Sequence, residues 1–228
     1  MPKETVVIDL GGSILTPKLG QINLKLLEFF RKIIKQESRK KRFIIVTGGG
    51  SLARSYQKSA CELKVKDSSS LDWIGIRATQ LNAEFLKSFF GNKAFPQLIV
   101  SQEQKYVWNK GIILSGGWQP GNSTDYVTLK LAEIHKAKKI VIASNIEYIY
   151  DSDPKKNPKA KKFESVSWHK FNKLFNEKWE PGMTVPLDPK AAKLGQKIQI
   201  PLFFVNGNDL NNFKKAIQGN KFTGTIIS

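Results

Sequence analysis

Short apolar runs alternate along the chain with longer segments of helical spacing. The runs at 5–10, 43–47, 97–100, 112–114, 139–143, 200–205 and 222–227 are rich in Val, Ile, Leu and Phe and predict β-strands. Between them, 23–36 offers Asn23 as an N-cap and sets Leu24, Leu27, Phe30 and Ile34 on one helical stripe. The segment 71–90 does the same with Leu71, Ile74, Ala78, Leu81, Phe85 and Phe89, and 123–137 with Val127, Leu131 and Ile134. Continuous apolar strands between amphipathic helices predict an α/β chain. The expected architecture is a three-layer α/β/α sandwich around a mainly parallel central sheet, in a single domain spanning 1–228.

Glycine punctuation says where a ligand could sit. Gly11-Gly12, Gly48-Gly49-Gly50 and Gly116-Gly117 each follow the end of a predicted strand, the edge at which open α/β sheets hold their ligands. One glycine pair commonly does no more than end a strand and permit positive φ, but three at one edge would form a site. The spacing G-x-x-x-x-G-K-[ST] is absent, as is G-x-G-x-x-G after the first strand. Attraction for a phosphate would then come from the N–H groups of the turns and from helix N-termini. Asp9, just before the first turn, opposes a phosphate there, so either the turn is not a phosphate site or positive charge arrives from elsewhere in the chain.

Composition narrows the partners. The chain has 228 residues, 40% of them hydrophobic, enough to bury a sizeable core. Lys and Arg number 37 against 19 Asp and Glu, for a net charge of +18, which suits an anionic partner. Much of the excess lies in clusters at 38–42 and 155–162 without interleaved aromatics. They read as solvated surface, and no nucleic-acid partner is expected. Cys61 is the only cysteine, which excludes an intrachain disulfide and a Cys-rich metal site, and its expected role is packing in a reducing compartment. No run is long enough to span a bilayer and the N-terminus lacks the order of a signal peptide, so a cytoplasmic protein is expected with no membrane partner. His135 and His169 are too few for a zinc site or a Ser-His-Asp triad, and no protein-bound metal site is expected.

Six blocks in order across nearly the whole chain carry a resemblance: VIDLGGSIL, VTGGGSLARSY, LDWIGIRATQLNA, SGGWQPGNSTD, ASNIEYIYDSDPKKNPKAKK and PLDPKAA. Together they resemble the amino acid kinase superfamily and, within it, the archaeal type of UMP kinase. The resemblance implies transfer of the γ-phosphoryl group of MgATP to UMP, with Mg²⁺ as cofactor, by a hexamer. Carried over by position, it implies ATP contacts at Gly11, Gly12, Ser13, Gly50, Arg54, Ser144, Asn145, Tyr150 and Asp153. It implies UMP contacts at Gly49, Asp72, Gly75, Trp118, Gln119, Pro120, Gly121, Asn122, Ser123 and Thr124. Arg54, Asp9 and Asp125 fall nearest the transfer itself.

These roles suit the chemistry. The acceptor is a phosphate oxygen already ionised, so positioning and positive potential are needed and a general base is not. Simpler roles stand beside them: Asp72 as an N-cap, Arg54 as a surface arginine, Tyr150 as a core aromatic, and Asp188-Pro189 as the start of a helix. The chain also departs from the superfamily. Asp9 stands where many members have Lys, and Glu147-Tyr148 stand where N-V-D-G-V-Y has Asp-Gly. Those departures keep two alternatives open. One is a kinase of the same superfamily with another phosphate or carboxylate acceptor, and the other is a non-catalytic nucleotide or oxyanion binding or storage relative.

Overall fold

The computed structural model describes residues 3–104, 108, 111–152, 157–175 and 186–228. In chain order its elements are β1 (Glu4–Leu10), α1 (Gly12–Leu15), α2 (Leu24–Glu37), β2 (Lys41–Thr47), α3 (Gly50–Glu62), α4 (Ser68–Phe90) and β3 (Ile112–Ser115). There follow α5 (Thr124–Ile134), β4 (Lys139–Ser144), β5 (Ile149–Tyr150), β6 (Lys162–Phe163), β7 (Ser165–Val166) and α6 (Trp168–Phe175). The described chain ends with α7 (Pro189–Ile198), β8 (Leu202–Asn206), α8 (Leu210–Gln218) and β9 (Thr225–Ile227).

Among the described residues the main sheet runs β3-β2-β1-β4-β8-β9-β7, and β5 pairs with β6 in a separate antiparallel ribbon. The strands from β3 to β8 are all mutually parallel, so their C-terminal ends share one edge, while β9 runs antiparallel to β8. Alternation along β1 and β2 splits the core in two. Val6, Ile8, Phe43 and Ile45 pack with Leu27 and Phe30 of α2, Leu86 of α4 and Phe213 of α8. Val7, Ile44 and Val46 pack on the other face with Val127 and Leu131 of α5, Phe171 of α6 and Ala192 of α7. The expected three-layer sandwich with a mainly parallel sheet is what forms.

Local chemistry explains the helix starts. Asn23, Asp67, Ser123, Asp188 and Asp209 each accept a backbone N–H of the first turn behind them. Phe30 joins three helices of one layer, stacking on Phe213 at 5.7 Å and meeting the edge of Phe90 at 6.2 Å.

Several expectations need correction. Residues 97–100 form no strand: Phe95 and Ile99 each donate one hydrogen bond to β3, and Pro96 between them has no N–H with which to extend a ladder. The strand expected at 200–205 begins only after Pro201, for the same reason. The strand expected at 222–227 shrinks to Thr225–Ile227, because Gly224 turns the chain at φ 155°. In α4 the expected stripe holds only in part: Ala78 is buried and Phe89 packs on the core, but Leu81 is 59% exposed and Phe85 is exposed too, while Thr79, Asn82, Ala83, Leu86 and Phe90 face inward. The inward polar pair is engaged by the glycine turns described below, so a reading by hydropathy alone picks the outer face. Leu24 and Ile134 are likewise exposed at the ends of their helices, and Cys61 is exposed instead of packed. Among the described residues no helix is long and apolar enough to cross a membrane.

Candidate functional site

The glycine turns meet at the C-terminal edge of the sheet, as the sequence suggests. Gly11 N–H binds the Ala143 carbonyl at the end of β4, and Gly48 N–H binds the Leu10 carbonyl at the end of β1. The first two turns are then pressed backbone to backbone. A Cβ on Gly12 would overlap the nitrogen of Gly50, and one on Gly48 would overlap the nitrogen of Gly12. Gly50, at φ +63°, leads into α3 with no room for a side chain beside Thr16 and Gly12. Gly49 touches Ala53 and lies beside Gly75 of α4, whose own Cβ would press on Gln57. Thus Gly11, Gly12, Gly49, Gly50 and Gly75 form one continuous backbone surface, with exposed Ser13 at its rim.

The inner face of α4 supports this surface. Asn82, buried, donates to the Gly48 carbonyl at 2.8 Å, and Thr47 donates to the Thr79 carbonyl at 2.8 Å. The Thr79 hydroxyl accepts from Gly117 N–H at 2.6 Å, and Gln80 donates to the Gly117 carbonyl at 2.9 Å. One helix therefore holds the turns after β2 and after β3 in fixed register, which is why polar residues occupy its buried face.

Beyond the third turn the chain runs from Trp118 to Thr124. Trp118 is only 6% exposed, and its indole N–H is shared between the Ile99 carbonyl and the Ser115 hydroxyl, each at 3.2 Å. Its ring is core; it anchors the segment from below. Gln119 caps a turn through its carbonyl, which accepts from Asn122 N–H, and Pro120 leads into Gly121 at φ +75°. Gly121 N–H donates to the Asp72 carboxylate at 2.8 Å across a gap of 49 residues in sequence. Asp72 is not an N-cap: Asp67 caps α4, and Asp72 faces the turn. Ser123 caps α5, so the free N–H groups at the start of that helix, around Thr124, open onto the same edge.

Near the end of β1 and the starts of α5 and α7 three carboxylates gather. Asp9, 2% exposed on β1, accepts from the Thr128 hydroxyl of α5 at 3.0 Å. Burial raises its pKa from 3.8 to about 7, and the Thr128 bond offsets only part of that rise. Asp125, in the first turn of α5, is held well above the usual carboxylate range by burial and by the charges of Asp9 and Asp188. Asp188 caps α7, accepts from the Ser123 hydroxyl, and donates its own N–H to Asp125 at 3.4 Å. None of the three forms an ion pair with Lys or Arg among the described residues. Burial and mutual repulsion thus disfavour the charged forms of Asp9 and Asp125, at the edge where the glycine turns lie.

On the far side, Ser144 ends β4 with its carbonyl bound to Gly207 N–H at 2.8 Å, and Asn145 follows exposed. Tyr150 is half-buried on β5, whose Ile149 N–H binds the Thr225 hydroxyl at 2.9 Å. The adjacent Tyr148 carries the Lys162 ammonium 4.4 Å over its ring, so the aromatic at this position is turned toward β6. Arg54 lies one turn into α3, exposed and without an ion pair among the described residues. Asp153 lies outside the described residues. Sequence reading singled out neither Thr128 nor the reach of Asp188 into the carboxylate group. Thr128 carries no signal beyond its place one turn after Asp125, whereas the Asp-Pro pair at 188–189 does announce a helix start.

The sequence profile of the amino acid kinase family matches residues 4–206. The uridylate kinase of Thermococcus kodakarensis is 34% identical over 231 residues, covering 97% of this chain and 98% of its own. That of Staphylothermus marinus is 34% identical over 226 residues, covering 98% of each. Among solved structures, the uridylate kinase of Archaeoglobus fulgidus superimposes with a TM-score of 0.83 at 32% identity, covering 98% of this chain and 99% of that one. The UMP kinase of Bacillus anthracis, at 23% identity and a TM-score of 0.78, shares the fold.

Proposed function

The chain belongs to the amino acid kinase family, and from that premise we propose that it is a UMP kinase, transferring the γ-phosphoryl group of MgATP to UMP to give UDP and ADP. The observation that carries this reading is the closed acceptor side. Asp72 from α4 and the turn at Gly121 are joined by a hydrogen bond next to the N-terminus of α5, which leaves a carboxylate for ribose hydroxyls beside N–H groups for a phosphate. End-to-end likeness to uridylate kinases supports the choice of acceptor.

In this reading the donor phosphates lie on the surface formed by Gly11, Gly12, Ser13 and Gly50, with Arg54 beside them, and the nucleoside lies toward Ser144, Asn145, Tyr150 and Asp153. UMP lies along Gly49, Asp72, Gly75 and the segment from Trp118 to Thr124. The acceptor oxygen needs no deprotonation, so the work of the site is alignment and charge neutralisation. Among the described residues no group of three acidic or His/Cys ligands is arranged to hold a metal alone. Mg²⁺ commonly binds through substrate phosphates and water with one or two carboxylates. Asp9 and Asp125 are the carboxylates that would face it, and Mg²⁺ would screen the donor oxygens. The outer stripe of α4, with Trp73, Leu81 and Phe85 exposed, supplies an apolar face through which copies would associate toward the hexamer that family resemblance implies.

A second reading, binding without transfer, is favoured by Asp9: a carboxylate with its pKa near 7 occupies the place where a lysine would supply charge. A panel of acceptors with MgATP decides between them. Rapid turnover of UMP with slower turnover of CMP and none of isopentenyl phosphate or carbamate is expected. Nucleotide-dependent thermal stabilisation without turnover of any acceptor would instead establish the binding protein.

A further inference from the structure

The carboxylate group and two phosphorylated ligands would place much negative charge at one edge, and Arg54 stands on the glycine side alone. The α5 side has its own cation in Lys190, the second residue of α7. Its ammonium donates to the Asn122 side-chain oxygen, reaches the Gly121 carbonyl at 3.5 Å, and lies 4.3 Å over the Tyr126 ring. Three groups of one short stretch thus converge on a lysine that is solvent-exposed and makes no ion pair among the described residues.

That arrangement is specific. An exposed lysine ordinarily keeps its rotamer freedom, and fixing it in one place has an entropic cost that has to be offset. Gly121 is held from both sides, its N–H by Asp72 and its carbonyl by Lys190. The ammonium, bonded to Asn122 and Gly121 and lying over the Tyr126 ring, brings its charge beside the segment that leads into α5.

We propose that Lys190 binds the phosphate of the acceptor nucleotide, supplying from α7 the positive charge that Asp9 does not supply from β1. The inference rests on the UMP kinase reading and deepens it, because it selects an acceptor that carries a phosphate. In the transfer, the bond between the γ-phosphorus and the oxygen bridging to ADP breaks while a bond forms from an acceptor phosphate oxygen, and no proton moves. Lys190 holds that acceptor group in line and draws part of its charge away from the incoming phosphoryl.

The test compares wild type with Lys190→Ala, Lys190→Met and Lys190→Arg in the UMP assay, with uridine as a competitive inhibitor lacking the phosphate. Loss of one charge-assisted contact should raise KM for UMP on the order of tenfold in the Ala and Met variants. KM for ATP should stay within about twofold and Ki for uridine should be unchanged, as for contacts confined to the acceptor phosphate. The Arg variant should recover part of the loss. An unchanged KM for UMP in the Ala and Met variants would overturn the proposal, as would a rise in KM for ATP instead. Equal rises for UMP and uridine would also overturn it, since they would make Lys190 only a brace for the segment. Absence of UMP turnover in the wild type would instead overturn the UMP kinase reading.

Discussion

Two carboxylates at opposite ends of the sheet, half-buried Glu37 and buried Asp9, have opposite fates. Glu37, at the end of α2, accepts from the Gln218 side chain at 2.9 Å and from Lys41 at 2.9 Å, where β2 begins. Burial pushes its pKa up, but the hydrogen bonds from Gln218 and Lys41 outweigh that and hold it below the ordinary value. Asp9, near the other end, has the Thr128 hydroxyl and no cation, and its pKa rises to about 7. The two sites use the same chemical group, satisfied for stability at one end and left wanting at the other. A buried carboxylate that lacks a cation costs stability whenever it ionises.

The largest expected effect tests that contrast directly. Because the folded state resists ionisation of Asp9, a cost builds as pH rises from about 3.8 to about 7 and is constant above. Asp9→Asn keeps an acceptor for Thr128 and removes the charge, so without ligands it should stabilise the fold by at most roughly 4 kcal/mol at pH 8 and hardly at all near pH 4. The same substitution should impair turnover. Thermal melts at the two pH values with a coupled assay check both, and a gain independent of pH, or full activity, would make Asp9 a bystander.

Next in size, Arg54→Ala should lower kcat/KM on the order of 100-fold, as for loss of a cation directed at the moving charge. Steady-state kinetics measures it, and an effect under about threefold would remove Arg54 from the phosphates. Smallest is Glu37→Gln, which should cost about 1 kcal/mol with turnover untouched. Its sign with pH is the reverse of that for Asp9: the stabilisation is present above the ordinary Glu pKa and is lost as pH falls through the lowered one. Denaturant titrations at pH 7 and pH 3.5 would show the difference narrowing.

The sequence was most legible where function and backbone geometry coincide. The three glycine turns lie at one edge, and Asn23 and Ser123 cap their helices, because those residue types have few other uses. Hydropathy misled where buried positions are polar: Thr79 and Asn82 look like surface residues, yet they hold Gly117 and Gly48. Trp118 illustrates the reverse, since an aromatic inside an acceptor motif invites a stacking role and its ring is spent on the core. The meeting of Asp9, Asp125 and Asp188 depends on which strands become neighbours, and local pattern does not encode that order. Lys190 was missed for the same reason, as its partners lie 68 and 69 residues away.

The interlocked turns at Gly12 and Gly50 also bear on how such a molecule can change over generations. Where backbone lies against backbone, there is no side chain to exchange, and nearly every substitution is lost to overlap. New substrate preferences would therefore arise by variation in the segment from Gln119 to Asn122 and at the head of α7, where side chains meet across open space, while the turns pass unaltered from ancestor to descendant.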